Sequence, residues 1–204
     1  MYKQFYYLQH RAVRICVSDS VCKAISPFAN GPCIHIPMGY EFPKFINSTY
    51  THDVYILAKK RPGVGNVIAD WCMKNNLKVK CHDHLVPKNE VLSAMASASL
   101  SVLLPNETEG FYLPGIEAMY LSKRVLMTDC IANREYVSSE SNAVLCEFSL
   151  DSILAKLNQM LPELRRGCSD MLCAQQKNAI VQKYNLMRER EAYHQLLNEL
   201  LWKN

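Results

Sequence analysis

The chain has no C-x-x-C pair, no internal repeat, no low-complexity tract and no apolar run approaching the length of a membrane span. It also lacks a catalytic-triad signature, a Walker loop and a zinc-protease helix motif. The opening M-Y-K-Q-F-Y-Y-L-Q-H has no continuous apolar stretch of the kind a secretion signal carries. Charge of one sign is scarce. Lys and Arg number 23 against 19 Asp and Glu, a net charge of +4. That balance suits an anionic ligand or peripheral contact with an anionic membrane surface, and is too weak to point to nucleic acid. Nine cysteines are present, an odd number without regular spacing. Most sit in apolar contexts such as R-I-C-V and A-V-L-C, where cysteine acts as a small core hydrophobe. A reducing, cytoplasmic location is the expectation. With 204 residues, 49% hydrophobic and 21% charged, the chain can bury the core of one domain, or of one domain plus a piece of another.

Short apolar runs alternate with helical patterns along most of the chain. Strands are predicted at Val13–Val17, Cys33–Ile36, Val54–Ala58, Leu77–Cys81, Leu100–Leu104, Arg124–Met127 and Ala143–Cys146. They are continuous rather than alternating, as strands covered on both faces should be. Helices are predicted at Ser20–Ile25, Gly65–Asn75, Asn89–Ala98, Gly115–Leu121, Asn133–Tyr136 and Leu150–Leu161. The alternation argues for an α/β, doubly wound parallel sheet. Residues 168–204 carry no strand signal. Tyr184, Met187, Tyr193, Leu196, Leu197, Leu200 and Leu201 recur at roughly helical spacing, which predicts amphipathic C-terminal helices packed on the sheet. Pro37-Met38-Gly39-Tyr40, then Pro43 and the polar Asn47-Ser48-Thr49, mark a boundary near residue 40.

The most informative segment is P-N-E-T-E-G-F-Y-L-P-G-I-E-A-M at 105–119. It follows the apolar S-V-L-L, places Glu109 and Glu117 on either side of a Gly-Phe-Tyr-Leu-Pro-Gly turn, and enters a helical pattern. A buried strand, a loop bearing one carboxylate and a helix start bearing another are the parts of an anion- and sugar-binding site. The segment resembles the signature of retaining glycosyltransferases of the GT-B fold, family 4 in particular, roughly P-S-x-x-E-G-F-G-L-P-x-x-E-A-M. V-L-M-T-D-C-I-A-N-R-E-Y-V at 125–137 is similar to that family's following strand and turn, P-V-I-A-S-D-x-G-G-x-x-E. I-C-V-S-D-S-V at 15–21 and I-H-I-P-M-G-Y at 34–40 look like the end of its N-terminal domain and its interdomain linker.

The resemblance implies a Rossmann-like GT-B C-terminal domain over 41–204 that binds a nucleotide sugar. Residues 1–40 would be a remnant of the N-terminal, acceptor-binding domain and its linker. It implies that Glu117 accepts hydrogen bonds from the nucleotide ribose and that Glu109 contacts the donor sugar near the reacting centre. Gly110, Phe111, Tyr112 and Leu113 would offer backbone N–H groups to the diphosphate and sugar, with Tyr112 standing where the family has a second glycine. Of the two family basic residues, Lys59 takes the arginine position, and Lys60 or Arg61 is the nearest match for the other; Arg134 is a further cation at a strand end. His82 and His84, in Cys81-His82-Asp83-His84, would border the nucleotide base. Their spacing is too tight for a tetrahedral metal site without partners elsewhere, and no metal or other cofactor is expected. The function implied is transfer of a sugar from a UDP- or GDP-linked donor to a glycan or lipid acceptor with retention. The competing reading is a non-catalytic glycosyltransferase-like subunit that binds a nucleotide sugar and completes a partner polypeptide. The short acceptor portion, Tyr112, and Ser122 and Arg124 at positions commonly glycine and proline favour that alternative.

Overall fold

The structure, a computed structural model, describes residues 3–44, 49–166 and 170–201. Asn47 and Ser48 of the predicted boundary lie outside these, as do the side chains of Cys168 and Cys173. In chain order the elements are β1 (Arg14–Cys16), α1 (Asp19–Ile25), β2 (Cys33–His35), β3 (His52–Leu57), α2 (Pro62–Lys74), β4 (Val79–His82), α3 (Lys88–Ala96), β5 (Ala98–Leu103), α4 (Leu113–Leu121), β6 (Arg124–Thr128), β7 (Ala143–Cys146), α5 (Leu150–Arg166), α6 (Asp170–Lys183) and α7 (Leu186–Leu201). Short 3-10 turns at Lys3–Gln9, Ser26–Phe28 and Ala132–Glu135 complete them. Two compact units result: Phe42–Val181, and Met1–Glu41 together with Gln182–Asn204.

The larger unit is an α/β, Rossmann-like doubly wound sheet. Its five strands run parallel in the order β4-β3-β5-β6-β7. The central strands β3, β5 and β6 are largely buried on both sides because helices cover both faces. Val54, Ile56, Leu100, Val102 and Leu126 share one buried cluster with Ile68 and Cys72 of α2 and Ile153 and Leu157 of α5. The alternate residues Tyr55, Ser101, Leu103, Val125 and Met127 are equally buried on the opposite side. Fully burying one such aliphatic side chain stabilises the fold by about 1.5–3 kcal/mol. No described helix is long and apolar enough to cross a membrane.

Local chemistry explains where the helices stop and start. Proline at the first turn opens both α2 and α4, where its missing N–H costs nothing. Asn76 ends α2 in the left-handed region, φ 59°. Its N–H donates to Met73 O and the next N–H, of Leu77, to Cys72 O, both at 3.0 Å, closing the helix with paired carbonyls. Two departures from the resembling sequences have structural reasons. The Ser122 hydroxyl is buried between Ser101 Oγ at 2.7 Å and Met95 O at 2.9 Å. Arg124 pairs with Glu163 of α5, with Nε at 2.8 Å from Oε1, fastening that helix to β6.

The smaller unit pairs β1 with β2 in parallel. Arg14 donates from its guanidinium to the carbonyls of Tyr7, Leu8, His10, Ala12 and Asn30, gathering the N-terminal turn around one cation. Residues after 181 belong to this unit. Tyr40 N–H donates to Tyr184 O at 2.8 Å, and Tyr184 and Leu196 are buried. The expected packing of the whole C-terminal stripe on the sheet therefore needs correction. α5 contacts β6 and β7. In α7, by contrast, Met187, Leu197 and Leu200 remain exposed, and the helix groups with residues 1–41. A period-3.6 pattern identifies an apolar face but not the surface that receives it.

Gly65 and Gly63 provide a test of the packing. A Cβ on Gly65 would sit 2.1 Å from Ala58 Cβ, because α2 lies directly against the end of β3, whereas Gly63 has open space. Gly65→Ala is expected to cost about 1–3 kcal/mol by overpacking. Gly63→Ala should be neutral or stabilising by up to about 1 kcal/mol. Urea titration of the two variants measures the contrast.

Candidate functional site

In the order β4-β3-β5-β6-β7, the chain winds one way from β3 to β4 and the other way from β5 onward. The loops leaving the carboxyl ends of β3 and β5 therefore diverge and open a crevice between them, the position where open α/β sheets hold ligands. Lys60 lies in the first of these loops and Glu109 in the second, and Lys60 Nζ is in contact with Glu109 Oε1. The same oxygen accepts the Asn106 N–H at 2.9 Å. The Glu109 side chain is 14% exposed, so its charge is held at the crevice by one lysine and one backbone donor.

Tyr112 forms the floor. It is buried, with Lys60 Nζ 5.4 Å from its ring centroid. Its carbonyl accepts the Tyr136 hydroxyl at 3.0 Å and the Gly115 N–H at 2.9 Å. Gly115 permits this arrangement, since a Cβ there would lie 2.2 Å from Tyr136 Oη. Burial first, and then the charges of Glu109 and Glu117 among others, push the Tyr112 phenol upward. Both carboxylates thus act on the same buried ring, one from each end of the turn.

Glu117 lies in α4 and is only 3% exposed. Its Oε1 is 3.1 Å from Lys88 Nζ, the first residue of α3. In the sequence nothing distinguished this lysine from other surface charges. Its role depends on α3 and α4 packing side by side, which no local motif records.

The other predicted residues are distributed around the carboxyl edge. Lys59 is exposed in the β3–α2 turn. Arg61 is directed to the β7–α5 loop, with Nη2 donating to Phe148 O at 2.8 Å and the guanidinium stacked over the Phe148 ring. Lys60, not Arg61, is the basic residue that the structure joins to Glu109. Gly110, Phe111 and Leu113 flank Tyr112 at the entrance to α4, where a helix N-terminus carries partial positive charge. Arg134 is exposed and bound to Asp129, Nη2 to Oδ2 at 2.8 Å, and that hydrogen bond holds the Asp129 carboxyl below the usual range. His82 is buried, with Nδ1 3.0 Å from Tyr55 Oη. His84 is exposed and paired with Asp83. Among the described residues no group of His, Cys, Asp or Glu is arranged to hold a metal ion. Burial pushes the Cys72 and Cys146 thiols up to about 12, so neither is a nucleophile at neutral pH. An open cavity of about 410 Å³ at the ends of β6 and β7 is lined by Asp129, Leu145, Cys146, Glu147, Ser152 and Lys156. Of the predicted site residues, none lines it.

Next to Asp129 the backbone is strained. Ile131 has φ 68° and ψ −57°, and Ala132 N–H donates to Cys130 O at 2.7 Å across it, a tight γ-turn of the unfavourable hand. Ile131 is β-branched and exposed, so its side chain gains little from burial there. Ile131→Gly is expected to stabilise the fold by about 1–2 kcal/mol, measured by urea denaturation. For His82, burial first and Lys80 second lower the imidazole below its usual 6.5. The neutral ring is therefore the folded form. Its stabilisation is complete above pH 6.5 and is lost as pH falls through the window below that value. NMR titration should place the His82 midpoint below 6.5, and a midpoint at or above 6.5 would contradict the burial argument.

No protein-family profile matches the chain, and no curated protein does. Solved structures do. The Anabaena protein HepE, in complex with UDP-glucose, superposes with a TM-score of 0.67 at 13% identity, covering 91% of this chain and 63% of HepE. HepE with UDP and glucose gives 0.69 at 13% identity, covering 91% and 62%. A variant of TarM from S. aureus, in complex with Fondaparinux, alpha-GlcNAc-glycerol and UDP, gives 0.63 at 17% identity, covering 90% and 43%. The chain thus spans less than two thirds of the length of each of these proteins. The likeness is one of fold, the Rossmann-like arrangement of a GT-B domain.

Proposed function

We propose that the chain is the donor-binding part of a retaining glycosyltransferase, of the family 4 kind within the GT-B fold. It transfers a hexose from a UDP- or GDP-linked donor to a glycan or lipid acceptor. The observation that carries this reading is the meeting of Lys60 and Glu109 at the point where the sheet reverses its winding. Support also comes from the UDP and UDP-glucose bound in the similar HepE structures.

In the proposed mechanism Glu117 takes the ribose hydroxyls, since an ionised carboxylate can accept two donors. Lys60 leaves Glu109 for the diphosphate and stabilises the charge that develops on it as the glycosidic bond breaks. Backbone N–H groups from Gly110 to Leu113 and the α4 dipole add to that field. Lys59 and Arg134 are the outer cations, and His82 and His84 flank the base. Glu109, released from Lys60, faces the sugar. The acceptor hydroxyl attacks on the face from which the diphosphate departs and gives its proton to that leaving phosphate. No metal cofactor is invoked. Residues 1–40 act as the remnant of an acceptor domain, in a cytoplasmic protein with peripheral membrane contact where the acceptor is a lipid.

A second reading is a non-catalytic subunit that binds the nucleotide sugar and requires a partner polypeptide to supply the acceptor side. It is favoured by the buried Tyr112 ring in the place of a family glycine. The explained packing of Ser122 and Arg124 removes two of its supports.

Calorimetry with UDP, GDP and ADP tests the site. One of them is expected to bind, and Lys60→Met and Glu117→Gln are each expected to weaken that binding about tenfold or more, as loss of a hydrogen bond to a charged group does. Donor hydrolysis abolished by Glu109→Gln separates the enzyme from the subunit. Binding without turnover, followed by turnover on adding a partner chain, would select the subunit.

A further inference from the structure

Lys88 occupies a position that electrostatics disfavours. It is the first residue of α3, where the helix dipole is positive and acidic residues are preferred. Its stem reaches out so that 61% of the side chain is exposed, yet Nζ returns to 3.1 Å from Glu117 Oε1, on a side chain that is 5% exposed. Burying a carboxylate this deeply is costly unless a hydrogen-bonded opposite charge accompanies it. The lysine thus sits at an unfavourable helix terminus and satisfies the acid of the neighbouring helix.

The second loop acid is handled in the same way. Glu109 is held by Lys60 from the β3 loop, and Glu117 by Lys88 from the β4–α3 crossover. Each carboxylate is matched by a lysine from a different segment. α3 and α4 both begin at the carboxyl edge of the sheet, which puts Lys88 on the ligand side of Glu117 and away from the core.

We propose that Lys88 is a positioning residue of the nucleotide site: it holds and aims the Glu117 carboxylate so that Glu117 receives the ribose hydroxyls of a nucleoside diphosphate. The inference rests on the donor-site reading above. Lys88 need not touch the nucleotide. Its contribution passes through Glu117 and is confined to recognition of the hydroxyls.

The test is a comparison of UDP with 2′,3′-dideoxy-UDP, and of GDP with 2′,3′-dideoxy-GDP, by calorimetry on the whole chain. The parent protein should prefer the hydroxylated member of one pair by about tenfold or more. Lys88→Met should reduce that preference to within about threefold, chiefly by weakening the hydroxylated ligand, and Lys88→Arg should restore it. A general structural role would weaken both members alike. An unchanged preference in Lys88→Met overturns the inference while leaving the donor site intact, and so does equal weakening of both ligands. If Lys88→Met does not fold, Lys88→Gln takes its place, since the exposed stem tolerates shortening. A parent protein that binds neither UDP nor GDP overturns the donor site itself, and the role of Lys88 with it.

Discussion

A parallel sheet that winds both ways must leave one gap, and the rest of this site is arranged around that gap. β3 and β5 are neighbours in space but not consecutive in the chain, with α2 and β4 between them in sequence. Their outgoing loops cannot cross the same face, so they separate. Everything with chemical potential here follows from that separation. The β3 loop brings Lys60, the β5 loop brings Glu109, and the two close over a buried tyrosine. The interaction is local in space and 49 residues apart in sequence, so it depends on correct strand order.

Charge balance then sets the character of the site. Two acids, Glu109 and Glu117, are largely removed from solvent, with side chains 14% and 5% exposed. A lysine pairs with each of them. Ion pairs of this kind add little stability, because desolvation offsets most of the Coulomb gain. Their value lies in keeping the carboxylates oriented. Behind them Tyr112, Tyr136 and Gly115 form a rigid backing in which one carbonyl accepts two donors.

Much of the architecture was legible in the sequence. All seven predicted strands form, and β7 has the predicted bounds, because continuous apolar runs between turn residues have few other ways to be buried. The Glu109–Glu117 turn was legible for a different reason: its loop and helix are contiguous in the chain. What remained hidden was long-range. Lys88 looked like any solvent lysine until α3 lay beside α4. Arg61 and Lys60 were indistinguishable as members of one basic triplet, and only the proximity of Phe148 separates them. The destination of the α7 stripe was equally invisible, since spacing along a helix says nothing about which surface is uncovered elsewhere. Ile131 shows a further kind of miss. A β-branched residue at positive φ is contrary to local preference, so no propensity argument would have placed it there.

The division of the chain into an uninterrupted unit and a split one has a consequence for biosynthesis. Residues 42–181 are contiguous, so they can collapse as soon as they clear the ribosome. The smaller unit cannot. Its β1–β2 pair emerges before the larger unit, but Tyr184 and Leu196, which are buried within that same unit, are translated only after it. For the time needed to synthesise some 140 intervening residues, on the order of ten seconds at typical rates, the nascent N-terminal segment is without them. During that interval the two-stranded sheet lacks part of its unit's core, and two strands alone are marginally stable in water.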